Sequence, residues 1–525
     1  PGAFSMKGGG ILENLADSLT RSGTIGLDMI TQNLNFLTAL TGEAPNGTIV
    51  IPDSMNLKAR VELKGPEYKA NLHLKQGQGS MGVNAELNTS TEAYAADLKI
   101  DNLQLHNFLP KDSIYELSLS ADAKGRGLDV MSYRALAKLN LSLDQLHYAR
   151  YQLSNVHLTG ALKGALVTAN LTSDNALLKM TTDAEYNLAH RYPDGKVTVD
   201  VTQLDLHELG LMPQPMKRPL AFNLSAEARQ NRVFTHLTSG DMKLNLSARS
   251  GVNPLISQST HFMDVLMKQI DENALNHAEL REALPTAILS FSAGKENPLA
   301  YFLATKNISY HDVSMKFGTA PDWGINGKAA VHALKMDTLQ LDTIFFTVKQ
   351  DTTLRKLRAG VINGPKNPQF SFATTLTGEI RDRDAELLVD YKNGKGETGV
   401  LLGVNARPLF EGHGKGNGIA FTLIPENPIV AFQRFHFNEN HNWIYLHKNM
   451  RVYANVDMWD EEGMGFRVHS VPGDTGSLQN IDVEIRRIRL QEITSVLPYF
   501  PEITGLFSLE AHYIPVSYTH LTLPT

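Results

Sequence analysis

The chain has 525 residues, of which 42% are hydrophobic and 20% charged, so it can bury a large apolar surface and is not disordered. Its net charge of -6 is spread without blocks and offers no concentrated basic face for nucleic acid. The sequence has no cysteine, which excludes disulfide scaffolds, thiolate metal sites and cysteine nucleophiles.

Both ends of the chain carry information about processing. No window approaches the ~18 consecutive apolar residues of a transmembrane helix. The chain opens on Pro1 without an initiator Met, which predicts a truncated N-terminus with any anchor or export signal upstream. Residues 516–525 resemble the conceptual translation of a sequencing adaptor, and we predict that they are an artefact tail outside the fold.

Residues 1–44 are predicted to form a helical lead-in. Ile11, Leu15 and Leu19 recur at helical spacing, and a second stripe continues as far as Leu37. The pattern predicts amphipathic helices that pack on a sheet.

Residues 45–250 alternate between apolar and polar positions with a period of two. Val156 and Leu158, for example, alternate with His157 and Thr159. Such alternation is typical of strands with one apolar and one wet face, and turn residues separate the runs. We expect a β-trough here.

Residues 251–286 break the alternation and predict an amphipathic helical insert. Phe262, Val265 and Leu266 share a stripe with Leu280 on its continuation. Alternation then resumes over residues 287–515, which are predicted to continue the trough.

A weak internal repeat occurs twice before the insert and once after it. Its unit is a strand, a slip of register, one helical turn stopped by proline, and a second strand. The first strands of the three copies begin at Leu98, Val199 and Val483, and the second strands begin at Leu117, Phe222 and Phe507.

A sheet that is apolar on one face over hundreds of residues must cover that face. Tandem sandwiches would need linkers between the copies, and no such linker is found between the first two copies. A parallel β-helix would need a short coil repeat, which is not found either. We therefore predict a mainly β fold: an elongated, curled antiparallel sheet forming an open U-shaped trough, with accessory amphipathic helices.

The repeat, the run from Thr494 to Pro501, the segment Ile503-Thr504-Gly505-Leu506 and the segment Asn455-Val456-Asp457 resemble the TamB (translocation and assembly module) family. This family belongs to the AsmA-like group, and the chain is most similar to its Bacteroidota branch. The resemblance covers most of residues 45–513 through diffuse motifs.

The resemblance implies a periplasmic protein with a long apolar β-groove that carries phospholipid toward the outer membrane and supports outer-membrane protein assembly. It implies phospholipid acyl chains as ligands, an inner-membrane anchor preceding this sequence, and an outer-membrane barrel partner met by a region following it. It implies no cofactor. From the alternation we assign the following residues to the groove: Leu98, Ile100, Leu117, Leu119, Val156, Leu158, Val199, Val201, Phe222, Leu224, Val483, Ile485, Phe507 and Leu509.

Patterns for catalysis and metal binding are weak. The glycine run 412–418 opens an alternating segment, which predicts a hairpin rather than a phosphate loop. His106 and His207 share a repeat position that is Gln491 in the third copy, and this favours a solvated position over a metal site. His436, His441 and His447 have no helical ligand spacing, and Asp382, Asp384 and Glu386 alternate with arginines in a predicted loop. We predict no catalytic residue and no metal ligand.

Two alternatives remain open at this point. The first is a structural or adhesive surface protein of tandem β-sandwiches, which a closed core in each copy would favour. The second is a β-rich carbohydrate enzyme, which a cleft with two facing carboxylates would favour.

Overall fold

The computed structural model describes residues 4–17, 19–31, 52, 54–109, 111–212, 215, 219–271, 276–351, 354–381, 384–409, 418–447, 452–470, 480–496 and 499–513. Strands make up 65% of the chain and helices 9%, so the predicted mainly β class is confirmed. Among these residues, no helix has the length and apolar character needed to span a membrane. Contacts divide the chain into two compact units: unit 1 (Pro1–Gly240 with Ser250–Asn253) and unit 2 (Asp241–Arg249 with Pro254–Thr525).

Unit 1 is a run of antiparallel strands. They are β1 (Phe4–Glu13), β2 (Ser22–Thr31), β3 (Met55–Lys64), β4 (Glu67–Gln76), β5 (Gly79–Asn88), β6 (Ala93–Gln104), β7 (Ile114–Arg126), β8 (Leu136–Tyr148), β9 (Tyr151–Leu153), β10 (Val156–Lys163), β11 (Leu166–Asp174), β12 (Leu178–Asn187), β13 (Gly195–Leu204), β14 (Leu220–Arg229) and β15 (Arg232–Ser239). Each strand pairs with the next, except that β10 pairs with β8 beyond the short β9. A 3-10 turn (Leu105–Asn107) follows β6.

Unit 2 repeats this arrangement. Its strands are β16 (Met242–Ala248), β17 (Ala287–Ala293), β18 (Ile308–Ser309), β19 (Asp312–Ala320), β20 (Gly324–Met336), β21 (Leu339–Gln350), β22 (Leu354–Asn363), β23 (Phe372–Arg381), β24 (Ala385–Asn393), β25 (Thr398–Leu409), β26 (Gly418–Val430), β27 (Gln433–Arg434), β28 (His436–His447), β29 (Val452–Trp459), β30 (Gly465–Ser470), β31 (Ile481–Arg489) and β32 (Leu506–Tyr513). Its helices are α1 (Val252–Asp271), α2 (His277–Glu282), α3 (Pro298–Ala304) and α4 (Leu490–Ser495). Only the short β18 and β27 interrupt the sequential pairing.

The sheets are open. In the described residues β1 does not pair with β15, nor β16 with β32, so the sheet is not closed into a barrel, as predicted. A tandem sandwich would stack two sheets over a core in each copy of the repeat. The described strands of each unit instead pair in sequence, which is the connectivity expected for a trough.

The predicted helical lead-in over residues 1–44 is wrong where the structure describes it. Residues 4–13 and 22–31 are the paired strands β1 and β2. The prediction of a helix overlooked that Ile25, Leu27 and Met29 alternate with polar or small residues. This alternation is typical of a strand with one apolar face. Residues 32–51 lie outside the described residues.

The predicted insert at 251–286 does contain helices, namely α1 and α2. Val265, Leu280 and Ala283 form a small buried cluster, with Phe262 and Leu266 packed against it. The stripe that the sequence indicated is therefore largely used to pack the two helices against each other.

The repeat corresponds to a bulged strand in all three copies. The register shifts after Ile100 in β6, after Val201 in β13 and after Ile485 in β31. In the first and third copies a residue with positive φ lies in the bulge, and its backbone N–H donates a hydrogen bond to a serine of the next strand. These pairs are Asn102 with Ser118 Oγ at 2.9 Å and Arg487 with Ser508 Oγ at 3.0 Å. The predicted slip is confirmed. The prolines predicted to stop the turns, Pro110, Pro213 and Pro498, lie outside the described residues.

One polar corner of unit 2 is built around a buried asparagine. Asn297 is 1% exposed and caps α3, because its Oδ1 accepts the Ala300 N–H at 2.9 Å. Its Nδ2 donates to Asp241 Oδ1 at 2.7 Å and to Gly294 O at 2.8 Å. Burial alone would raise the pKa of the Asp241 carboxyl, but hydrogen bonds from Asn297 and from the Glu296 and Gly294 backbone lower it overall.

Replacing Asn297 by Ala is expected to lower the free energy of unfolding by about 2 kcal/mol, since the change removes a helix cap and the hydrogen bonds that this buried side chain donates to Asp241 and Gly294. Urea denaturation at neutral pH measures this loss. The matched control is Ser247→Ala, an exposed position of β16, which should change stability by no more than about 0.5 kcal/mol. Equal effects of the two changes would contradict a structural role for this corner.

Candidate functional site

The sheet of unit 1 has one apolar face, built from rows of directly paired residues. Neighbouring strands lie ~4.8 Å apart, so a row across twelve strands extends for roughly 50 Å along the sheet. The first row runs through Met29, Leu57, Leu74, Met81, Ile100, Leu119, Leu143, Val156, Ser173, Met180, Val201 and Phe222. Ser173 is its one hydroxyl, and that group donates to Leu178 O at 3.0 Å.

A second row lies two residues along each strand on the same face. It runs through Leu27, Ala59, Leu72, Val83, Leu98, Ala121, Leu141, Leu158, Leu171, Thr182, Val199, Leu224 and Leu237. No charged side chain occurs in either row. We call the face that carries these two rows the unit-1 apolar face.

The opposite face of the same strands is polar. The row between the two apolar rows runs through Asp28, Lys58, His73, Gly82, Lys99, Ser120, Ser142, His157, Thr172, Thr181, Asp200, Asn223 and Thr238. Directly opposed side chains also pair on this face. Lys69 Nζ lies 2.9 Å from Glu86 Oε1, and Asn170 Nδ2 donates to Asp183 Oδ1 at 2.8 Å. The alternation of the sequence thus becomes a separation of two faces across the unit.

The structure brings ten of the predicted groove residues onto the unit-1 apolar face. Ile100, Leu119, Val156, Val201 and Phe222 belong to the first row, and Leu98, Leu158, Val199 and Leu224 belong to the second. Leu117 lies beside them, paired with Leu103 of β6 and Leu146 of β8.

Unit 2 has a corresponding apolar face. One row runs through Leu246, Leu289, Phe317, Gly327, Val348, Leu357, Gly378, Leu387, Val404 and Leu423. The next runs through Leu244, Phe291, Met315, Ala329, Phe346, Ala359, Leu376, Val389 and Leu402. Gly327 leaves room for the Phe317 ring, which a Cβ at position 327 would overlap. We call the face with these rows the unit-2 apolar face.

The four remaining predicted groove residues lie near the end of unit 2. Val483 pairs with Val468 and Ala511, while Ile485 pairs with Phe466 and Leu509. Phe507 pairs with Ile488, a residue that the sequence analysis missed. Across a bulge the next residue on the same face comes three positions later instead of two. For the same reason the sequence analysis also missed Leu103.

Exposure differs along the apolar faces. In unit 1, Met55, Leu74, Ile100 and Leu103 form a buried cluster, and Leu105 and Phe108 of the 3-10 turn region pack against it. Elsewhere the faces stay open: Val61 is 42% exposed, two residues after Ala59, and Phe346 in unit 2 is 37% exposed. Such values are too high for a closed core, in which large aliphatic side chains are almost fully buried.

The residues considered for chemistry are not brought into one site. No group of three or more His, Cys, Asp or Glu that could hold a metal occurs within the described ranges. His207 Nδ1 lies 3.0 Å from Met212 O, whereas the His106 ring packs at a tilt against the Tyr115 ring with centroids 5.2 Å apart. Asp384 pairs with Arg381 at 3.1 Å, and Asp382 lies outside the described residues.

The described strands on either side of the glycine run 412–418 are those of a hairpin and not those of a phosphate loop. Gly418 begins β26, and this strand pairs antiparallel with β25 on the other side of the run. A phosphate loop instead leads into a helix N-terminus. The predicted hairpin is confirmed by the flanking strands, while residues 412–417 lie outside the described part of the chain.

The pKa values of the described carboxyl groups shift in only one direction. Every described carboxyl whose pKa departs from its ordinary value is lowered, as in Asp194, where a hydrogen bond from Arg229 is the main cause. In Asp312, hydrogen bonds from His311 and His332 lower the pKa. A carboxyl acting as general acid needs a raised pKa. These groups are therefore suited to ion pairing.

No family model matches the chain, and neither a curated protein nor a solved structure matches it. Function is therefore inferred from the two faces of the sheet and from the resemblance described above.

Proposed function

We propose that this chain is a groove-forming periplasmic protein that carries phospholipid between the inner and outer membranes and supports outer-membrane biogenesis and protein assembly. The observation that supports the proposal is the set of uncharged, mainly apolar rows that cross β2 to β15 in unit 1 and β16 to β26 in unit 2. The proposal includes an anchor in the inner membrane and a barrel partner in the outer membrane, both contacted through segments outside these 525 residues.

The proposed mechanism is non-covalent. Removing apolar surface from water contributes ~25 cal/mol per Å², or ~0.8 kcal/mol for each buried methylene, so an acyl chain gains free energy by lying on the apolar face. In unit 1 the positions of the second row are all partly exposed, and no charged group occurs in the rows to hold the chain at one point. Lipid can then move along the row without a deep energy well.

The test compares neighbouring residues that point to opposite faces. A photo-reactive amino acid at position 158, on the unit-1 apolar face, should crosslink phospholipid in cells. The same probe at position 157, an exposed position on the polar face, should crosslink at least about tenfold less, because a charged and hydrated face offers no gain for acyl chains.

Unit 2 supplies an independent pair of positions. Leu376 is 41% exposed on the unit-2 apolar face, and Thr377 follows it on the other face. Lipid should be captured at position 376 and not at 377. Equal capture at all four positions would contradict the proposed conduit and indicate nonspecific contact with membrane.

A further inference from the structure

Arg355 is a charged residue on the otherwise uncharged side of β22. It pairs with Gln350 of β21 and with Ile380 of β23. Because alternate residues of a strand share a face, Arg355 lies on the same face as Leu357, a member of the first apolar row of unit 2. Gln350 likewise shares a face with Val348. A guanidinium and an amide therefore adjoin the unit-2 apolar face at the end of two neighbouring strands.

The N–H donors of the Arg355 guanidinium have few hydrogen-bond acceptors in the described part of the protein. Its Nη2 donates to Gln350 Oε1 at the long distance of 3.4 Å, and that oxygen already accepts the Ile325 N–H at 3.0 Å. The Nε of Arg355 is buried without a hydrogen-bond partner. Unpaired buried donors are rare in folded proteins and carry a free-energy penalty.

The acidic residues closest along the neighbouring strand serve other cations. Glu379 pairs with Lys356 at 2.9 Å and also with Arg381, while Asp384 pairs with Arg381 at 3.1 Å. These groups belong to the polar face, since Lys356 alternates with Arg355. Among the described residues Arg355 forms no ion pair.

The electrostatics of Arg355 differ from those of the paired arginines. Hydrogen bonds donated to carboxylates raise the pKa of Arg229, Arg381 and Arg489, whereas burial lowers the pKa of Arg355. An arginine nevertheless keeps its charge at any physiological pH. A half-buried cation that no described carboxylate pairs with is thus a permanent feature of this part of the sheet.

We propose that Arg355 and Gln350 form an anion site at the unit-2 apolar face, which binds the phosphate group of an acyl lipid whose hydrocarbon chain lies on Val348 and Leu357. The planar fork of a guanidinium matches two oxygens of a phosphate, and the amide of Gln350 can add a further donor. The site rests on the proposed function, because it assumes that the apolar face accepts acyl chains. With this site the unit-2 apolar face binds anionic lipid in preference to neutral lipid and holds the phosphate at Arg355.

The site can be tested with three probes on the full chain by calorimetric titration below micelle concentrations. Dodecyl phosphate carries both the head group and the chain, dodecyl maltoside carries the chain alone, and inorganic phosphate carries the anion alone. Arg355→Gln should weaken dodecyl phosphate binding about tenfold and leave dodecyl maltoside binding unchanged. Inorganic phosphate should bind far more weakly than dodecyl phosphate, because it gains nothing from the apolar face.

The matched control is Arg358→Gln, three residues further along β22. Arg358 is exposed and lies over the Phe345 ring at 5.3 Å, on the polar face, so its loss should change dodecyl phosphate binding by less than about twofold. A second measurement needs no ligand: Arg355→Met should raise the melting temperature by roughly 2–4 °C, because it removes a half-buried charge that forms no ion pair with the described residues. A structural arginine would show a loss of stability instead.

The outcomes separate the two proposals. Binding of both amphiphiles with no effect of Arg355→Gln would overturn the anion site and leave the acyl-binding face intact. Inorganic phosphate binding as tightly as dodecyl phosphate would show a site for free anions and overturn the lipid assignment. Failure of both amphiphiles to bind the unaltered protein would overturn the proposed function and the site with it.

Discussion

Replacing Leu224 by Asp is expected to abolish lipid capture along the unit-1 apolar face while the fold survives. Leu224 pairs with Val199 and Leu237 in the second row, and its side chain is only partly buried. An isolated charge transferred to an apolar environment costs several kcal/mol. A bound acyl chain would impose that cost, whereas in the lipid-free protein the carboxylate at this open position remains in water.

The measurement combines a thermal melt with photo-crosslinking from position 199, the direct neighbour of position 224 on the apolar face. We expect crosslinked lipid to fall at least about tenfold and the melting temperature to change by less than about 2 °C. Asn223→Asp is the matched control, because it adds the same charge one residue away on the exposed polar face. Undiminished crosslinking in a folded Leu224→Asp protein would refute lipid passage along this row. A collapsed melt would indicate a closed core.

Truncating Leu103 to Ala is expected to destabilise the protein by about 3 kcal/mol, the usual cost of removing a buried leucine side chain. Leu103 is 3% exposed in the cluster with Met55, Leu74 and Ile100. The 3-10 turn after β6 covers this part of the face, so the cavity left by the change cannot fill with solvent easily. Urea denaturation measures the loss.

The control for Leu103 is Val61→Ala on the same face of unit 1. Val61 is 42% exposed, and its truncation should cost less than about 1 kcal/mol. The two effects together map where the apolar face is covered and where it is open. Similar losses at both positions would mean that the face is buried throughout, which would leave no free surface for an acyl chain.

The bulges of the repeat could be predicted because they are local. A change of phase in the alternation, after Ile100 and again after Ile485, marks the place where one strand has an extra residue. The local pattern does not show which residue after the bulge is the next one on the apolar face. Leu103 and Ile488 were therefore missed, although each pairs with a predicted groove residue, Leu117 and Phe507 respectively.

The N-terminal strands show where the pattern misleads. Ile11 and Leu27 belong to two predicted helical stripes by spacing alone, yet both lie in paired strands, and residues 22–31 pair with β1 and β3 over nearly their whole length. Short apolar runs fit both periods, and the pairing partner decides between them. Choosing the strand over the helix requires the register between β2 and β3, and β3 begins only at Met55.

The sequence by itself determined that this is a mainly β chain whose strands have one apolar and one polar face, because the two-residue period is a property of each strand alone. Only the tertiary structure decided which apolar residues become neighbours, where the 3-10 turn covers them, and that Arg355 forms no ion pair with the described residues. In the run Leu354-Arg355-Lys356-Leu357-Arg358 the three basic residues look alike. Their faces and partners are set by strands β21 and β23, and such contacts between separate segments are not encoded in any one stretch of sequence.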